Sequence, residues 1–467
     1  MKRIDVLPDD VLLGIFDFYM IMYTYESSYR GKTETEAWQS LVHVCRRWRC
    51  LVLGSPRRLN LRLFCTPKTP ARDTLDVWPP LPLLVNGSMT LSGTDNVIAA
   101  LGQSNRVCQV ILHLASWQLE EVLAPMQVHF PELMDLRLFS DDETPPVIPD
   151  SFLDGSAPRL EFFLLSGIPF PGFPKLLLSA NRLVYLELFD MPHSGYISPE
   201  VMVALLSALS SLDTFSLEFK SHQSRPDSER RSLPPPKRSI LPALDQFRFK
   251  GVVEYLEELV TSIDAPQLNL LFITFFNQID FDCPRVAQFI NRTMSIRALD
   301  EAHVQFNDDF ASVKLRYQTS MSGFYDLLIS ISCKEPDWQL SSIEQVCNSS
   351  LQPLSTVEDL YIDHEYSQLV WKDDAIENIQ WLQLLLPFTV MKNLYLSKEF
   401  APGVAVALQE LVGGRIADVL LSLQNIFIEG LEPSGPLQEN IGEFVTARQL
   451  SSRPVAISDW DNDSDME

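Results

Sequence analysis

The chain has 467 residues, 46% of them hydrophobic and 21% charged, a globular rather than a disordered composition. A single core rarely grows past about 250–300 residues, so several domains or a repeat array is expected. No uninterrupted run approaches the roughly 20 apolar residues of a spanning helix. A net charge of −24 repels nucleic acid and anionic lipid over most of the surface, so neither nucleic acid nor a membrane is expected as a partner. Residues 11–25 are fairly apolar, but Asp5, Asp9, Asp10 and Asp17 interrupt the region and no small-residue cleavage site follows, which argues against a secretory signal. The seven cysteines, Cys45, Cys50, Cys65, Cys108, Cys283, Cys333 and Cys347, are irregularly spaced and form no C-x-x-C pair. That pattern predicts reduced, mostly buried thiols in a cytoplasmic or nuclear protein.

Charge is uneven along the chain. Residues 1–60 carry nine Lys/Arg against seven Asp/Glu, a net of +2, which leaves −26 for the remainder. Two modules with different partners are the simplest reading. Leu7-Pro8-Asp9-Asp10 reads as a helix start, with Pro at the first helical position and acids in the first turn, where the helix dipole favours them. Val11, Leu12, Ile15, Phe16 and Tyr19 then recur at helical spacing and define one apolar face. The polar stretch 24–32 is expected to break this helix. Thr33 and Glu36 have the spacing of a capping box, and Trp38, Leu41, Val42, Cys45 and Trp48 form the stripe of a second helix that stops at Gly54 and Pro56.

Leu7-Pro8-x-Asp10-Val11-Leu12-x-x-Ile15-Phe16, followed by Leu41-Val42-His43-Val44-Cys45-Arg46-Arg47-Trp48, resembles the F-box. Asp10 stands where that family more often has Glu, and the segment between the two halves is longer than usual. The resemblance implies a small all-α module over residues 1–60 that binds the Skp-type adaptor of a Skp–cullin–F-box ubiquitin ligase, and through it cullin. Leu7, Pro8, Val11, Leu12, Ile15, Phe16, Val44, Cys45 and Trp48 would form or support the adaptor-binding surface.

Residues 61–82, with Pro67, Pro70, Pro79, Pro80 and Pro82, read as a linker. Beyond them an apolar-x-x-apolar-x-apolar triplet recurs. It appears at Val107/Val110/Leu112, Leu133/Leu136/Leu138, Leu160/Phe163/Leu165, Leu183/Leu186/Leu188 and Leu212/Phe215/Leu217. It continues at Leu244/Phe247/Phe249, Leu268/Leu271/Ile273, Val357/Leu360/Ile362, Met391/Leu394/Leu396 and Leu423/Ile426/Ile428, with weaker matches at Leu299/Ala302/Val304 and Phe324/Leu327/Ile329. Chance alone would match about one window in ten at this hydrophobicity, so the spacing decides: the starts from 107 to 423 cover 316 residues in eleven intervals, about 29 each. Turn formers sit two residues ahead of many of them: Pro131, Pro158, Asn181, Ser210, Pro242, Pro266 and Ser355. The second and third triplet positions share one face of a short strand. Each such strand needs a neighbour to pair with and a helix to cover its buried face, and stacked strand–helix units supply both. The region 83–445 thus resembles the irregular leucine-rich repeats found behind many F-boxes, and the expected fold is α/β: the helical module, then a strand–helix solenoid with a parallel sheet. The Asn or Cys that follows the third apolar position in regular repeats is absent, as at Asp141, Ile168 and Lys220. Residues between the triplet positions, Asp135, Arg137, Glu187, Ser216, Arg248 and Tyr361, would face away from the core and contact a protein substrate.

Two segments stand outside the pattern: residues 221–239, polar, basic and proline-rich, read as an exposed loop, and the acidic tail 446–467 is expected to be disordered. No phosphate-binding glycine loop or nucleophile elbow occurs, and no histidine has a partner at metal-ligand spacing. Asp300-Glu301-x-His303 and Asp363-His364-Glu365 place carboxylates beside imidazoles, but adjacent strand residues point to opposite faces, so the second makes a poor acid–base pair. The sequence therefore predicts a non-catalytic substrate receptor of a ubiquitin ligase without cofactor or metal. A repeat-based protein-binding scaffold without ligase association is the alternative.

Overall fold

A computed structural model describes residues 7–30, 37–77, 79–88, 93–142, 146–170, 173–222, 238–276, 283–293, 299–317, 325–349, 351–364, 378–411, 420–431 and 436–460. Two compact units make up the chain, Met1–Leu186 and Glu187–Glu467. Both are mixed α/β with mostly parallel strand pairing.

The first unit opens with helix α1 (Asp9–Arg30), with Asp9 and Asp10 in its first turn. Pro8 sits one position ahead, its carbonyl accepting the first helical bond from Leu12 N at 3.0 Å. The expected break at 24–32 does not occur before Arg30. The sequence holds neither Gly nor Pro between Gly14 and Gly31, and polar residues alone do not end a helix. The expected second helix is instead two, α2 (Ala37–Val42) and α3 (Arg46–Gly54). Cys45 separates them: its backbone is extended and its thiol accepts the Trp48 N–H, capping α3. The Thr33/Glu36 capping box lies outside the described residues. Leu12, Phe16, Trp38, Leu41 and Val52 are buried among these helices, and the Trp38 indole N–H reaches Arg62 O at 3.0 Å.

Residues 61–82 are not a free linker. They contribute β1 (Leu63–Cys65) and α4 (Ala71–Thr74), and β1 pairs in parallel with β2 (Leu83–Ser88). The series continues with α5 (Thr94–Leu101), β3 (Val107–His113), α6 (Ser116–Leu123), β4 (Asp135–Phe139), β5 (Phe162–Ser166) and α7 (Phe173–Leu177). Strands β1 to β5 pair consecutively and in parallel. The prolines that suggested a linker lie outside β1 and β2, where no ladder donor is lost. Strand β6 (Tyr185–Met191) spans the division between the units.

The second unit holds α8 (Pro199–Leu206), β7 (Thr214–Phe219), β8 (Ser239–Ile240), β9 (Gln246–Gly251), α9 (Val253–Ser262), β10 (Ile263–Asp264), β11 (Leu270–Phe276) and α10 (Pro284–Arg292). There follow β12 (Glu301–Phe306), β13 (Phe310–Arg316), β14 (Leu327–Ser332), α11 (Pro336–Asn348), β15 (Asp359–His364), α12 (Asn378–Leu385), β16 (Asn393–Leu396), α13 (Ala401–Glu410), β17 (Asn425–Glu429), α14 (Pro436–Leu450) and β18 (Ala456–Trp460). The main sheet runs β7-β9-β11-β14-β13-β12-β15-β16-β17-β18, and β8 pairs with β10 separately. Here the expectation of a wholly parallel, sequential array is corrected. Strands β12, β13 and β14 form an antiparallel meander whose last strand pairs with β11 and whose first pairs with β15. The two weaker triplets fall on β12 and β14, so they are not successive parallel repeats. Phe324 lies outside the described residues, as does most of the 221–239 loop.

All residues of the ten clear triplets are buried. Their strand positions stack in register: Phe215, Phe247, Leu271 and Leu327 in one row, Ala302, Leu360, Leu394 and Ile426 in another. The turn ahead of each strand closes by an i−3 backbone bond onto the first apolar residue, as in Leu133 N to Phe130 O, Leu268 N to Ala265 O and Met391 N to Phe388 O. One carbonyl per step then accepts two N–H groups from the next strand. Asp213 O takes Asp245 N and Gln246 N, Asp245 O takes Asn269 N and Leu270 N, Glu358 O takes Lys392 N and Asn393 N, and Lys392 O takes Gln424 N and Asn425 N, all at 2.8–3.1 Å.

The acidic tail is also corrected for residues 446–460. Helix α14 runs to Leu450, and its buried Arg448 donates to Leu420 O at 3.1 Å and Leu423 O at 3.2 Å. Strand β18 pairs with β17. Backbone pairing of β18 with β17 gives this stretch the partners that its sequence alone does not supply. Residues 461–467 lie outside the description. Leu394 sits between Leu360 and Ile426 in the stacked row, so Leu394→Ala should cost about 2–5 kcal/mol. It should be read as a lowered urea midpoint, and a loss below about 1 kcal/mol would contradict this packing.

Candidate functional site

In the first unit α1 presents two faces. Leu12 and Phe16 point inward, with Phe16 against the Trp48 ring at 4.7 Å between centroids. Val11 (42% exposed), Ile15 (48%) and Phe18 (65%) face outward, and Val44 (59%), ahead of α3, is exposed as well. Arg47 ties α3 to the start of α1, donating to Leu7 O at 2.6 Å and to Asp9 Oδ1 at 2.5 Å. The nine residues singled out from sequence therefore separate into three groups. Val11, Ile15, Val44 and Pro8 are exposed, Leu7, Cys45 and Trp48 are half-buried, and Leu12 and Phe16 belong to the core behind them. Phe18, which the sequence reading passed over, is more exposed than Phe16 and Tyr19 on the same helix. Its position seven residues after Val11 was the available signal.

Strand residues between the triplet positions lie opposite the core. In the first unit Asp135 accepts from Arg137 Nε at 2.9 Å and from Gln109 Nε2 at 2.5 Å, and the Arg137 guanidinium lies 3.8 Å over the Phe162 ring. In the second unit Glu187 and Arg248 are half-buried, with Arg248 over Phe272 at 5.3 Å. Ser216 is a correction: paired with the much longer Arg248, it is buried and offers no contact surface.

Tyr361 belongs to a continuous construction on β12 and β15–β17. Parallel pairing sets His303, Tyr361, Tyr395 and Phe427 in one row, ring on ring, at 4.4, 4.2 and 4.5 Å between centroids. Trp460 packs against Tyr361 and Tyr395 at 5.8 and 5.5 Å. The neighbouring row is polar. Asn425 donates to Asn393, at 2.7 Å, and Asn393 to Asp359, at 2.5 Å. Asp359 lies paired with Glu301, and burial followed by the nearby carboxylates of Glu301, Glu358 and Asp300 raises its pKa.

His303 sits between two acids, 2.6 Å from Glu301 Oε1 and 3.3 Å from Asp363 Oδ2, and Arg316 holds Glu301 from β13 at 2.6 Å. The sequence had separated this histidine from Asp363 into two unrelated clusters. The β12–β15 pairing joins residues 60 positions apart, which no local spacing reveals. Glu365 lies outside the described residues. Among the described residues no group of His, Cys, Asp or Glu is arranged to hold a metal, and no helix is long and apolar enough to cross a membrane. No disulfide joins their cysteines, five of which are buried.

No protein-family model matches the chain, and no curated protein matches it either.

The acidic clamp predicts a pH dependence. Burial alone would lower the His303 pKa, but its hydrogen bonds to Asp363 and Glu301 outweigh it and raise the value above 6.5. A raised histidine pKa gives stability that is complete below the unfolded value and lost as pH climbs through the folded one. The other groups facing the ring are Glu301, held low once His303 and Arg316 offset its burial, and the bases Arg316 and Lys314 beside Tyr325. Stability should thus fall as pH rises above 6.5, and His303→Gln should remove that slope. Equal slopes in the two proteins would refute the clamp.

Proposed function

We propose that the chain is the substrate-recognition subunit of a Skp–cullin–F-box ubiquitin ligase, working in the cytoplasm or nucleus. Residues 7–60 act as the F-box, docking onto the Skp-type adaptor and through it onto cullin. The strand–helix units act as irregular leucine-rich repeats that bind a protein substrate. The chain itself is non-catalytic, and other subunits carry out ubiquitin transfer.

The observation that carries this reading is the outward face of α1. Val11, Ile15 and Phe18 are exposed at helical spacing beside the Leu-Pro and Cys-Arg-Arg-Trp segments that carry the F-box resemblance. An apolar patch of this kind, rimmed here by Asp9, Asp10 and Asp17, marks an interaction site. The inward residues fix the helix while the outward ones remain available, which is the division of labour a docking module requires. The second support is the array of stacked strand positions, which leaves an extended outer face in each unit for a protein ligand.

Val11→Asp combined with Ile15→Asp tests the docking half. Both side chains are half-exposed, so the fold should survive with its melting temperature nearly unchanged. Losing a hot spot costs on the order of 2 kcal/mol or more, about thirtyfold in affinity. Co-purification with the Skp-type adaptor should therefore be lost. Undiminished binding would sink the ligase assignment and leave the stand-alone repeat scaffold in its place.

A further inference from the structure

Next to the aromatic row of the second unit runs a third row, and its chemistry is unusual. The pairing of β14, β13, β12 and β15 sets Ser330, Ser312, Gln305 and Asp363 side by side. Ser397 follows beside Asp363, its amide bonded to Ile362 O at 3.0 Å. Four of these five side chains carry a buried oxygen with no hydrogen-bond partner among the described residues: Ser312 Oγ, Gln305 Oε1, Asp363 Oδ1 and Ser397 Oγ. Leaving such a group unpaired costs about 1–3 kcal/mol each, more for a charged one. A contiguous set of them on one face points to a ligand that supplies the missing donors.

The character of that ligand follows from the atoms left open. Gln305 Oε1 and Asp363 Oδ1 can only accept, and the two serine hydroxyls can do so as well. Asp363 is the one charged side chain in the row, and its side chain is 10% exposed, with Oδ2 held by His303 and Oδ1 open. Gln305 and Asp363 are paired residues of neighbouring strands, which lie about 4.8 Å apart, a spacing that two N–H groups of one planar guanidinium can bridge. The rings of His303, Tyr361, Tyr395 and Trp460 flank the row, and aromatic rings attract a desolvated cation.

We infer that this row on the outer face of β12 and β15 receives an arginine side chain from a bound protein segment. Asp363 and Gln305 accept its N–H groups, and the adjoining aromatic row forms the wall on which the rest of the segment packs. The inference rests on the protein-capture half of the function proposed above and is independent of adaptor docking.

The test uses the full-length chain and fluorescein-labelled short randomised peptides with a fixed central arginine. A matching set carries citrulline, which keeps the shape of the side chain and removes its charge. The arginine set should bind about tenfold or more tightly, and Asp363→Asn should abolish that preference. Gln305→Met, which removes an acceptor without touching the His303 clamp, should reduce it and keeps the test valid if the Asp363 variant fails to fold. Equal binding of arginine and citrulline peptides, or a preference that survives in a folded Asp363→Asn protein, overturns the inference. Adaptor co-purification measured on the same preparations reports the ligase reading separately. A chain that keeps the adaptor but ignores arginine defeats only this inference, and the converse result defeats only the ligase assignment.

Discussion

Parallel backbone pairing at a fixed register is the constraint on which everything else here depends. Each turn closes by an i−3 bond, and each step hands one carbonyl to two amides of the next strand, as Glu358 O does to Lys392 and Asn393. That linkage advances the chain by one strand without letting it slip. A slip of one residue would exchange the core and outer faces. It would turn Leu360 and Ile362 outward and bury Tyr361 beneath the helices. The Asn or Cys that follows the third apolar position in regular repeats is absent, so the main chain carries the register, joined on β15–β17 by the Asp359–Asn393–Asn425 row.

The same constraint builds the outer face. Because Leu360, Leu394 and Ile426 stack on one side, Tyr361, Tyr395 and Phe427 must stack on the other, and Asp359, Asn393 and Asn425 must stand in the next row. The aromatic column and the amide column are two readings of a single register. Trp460, on the strand that residues 446–460 supply, packs against the same column. Part of the C-terminal stretch that was expected to be disordered thus belongs to that surface.

The meander of β12–β14 interrupts this regularity, and the concentration of charge at the interruption has a physical cause. Reversing the sheet there brings Arg316 and Lys314 opposite Glu301 and His303, while the parallel pairing on the other side brings Asp359 and Asp363. Charges that a sequential array would have kept apart are forced into neighbouring positions and must be paired to remain buried. His303 and Arg316 do that for Glu301. Asp363 is only half satisfied, which singles it out on that face.

The sequence by itself determined the alternation that selects each buried strand face, the positions of the turns, and the helix that begins at Asp9. These depend on periodicity within a dozen residues, and the triplets are buried as their spacing required. It also marked Val11 and Ile15, although only tertiary packing, with Phe16 against Trp48, separated them from Leu12 and Phe16. Composition misled at residues 61–82 and 446–460: prolines, and polar residues leading into an acidic terminus, disfavour isolated structure, but a strand edge already in place offers them backbone partners. The meander, the His303–Asp363 contact and the row of open acceptors were decided by tertiary structure alone. Each joins residues tens of positions apart, and nothing local to either partner states which strand will lie beside it.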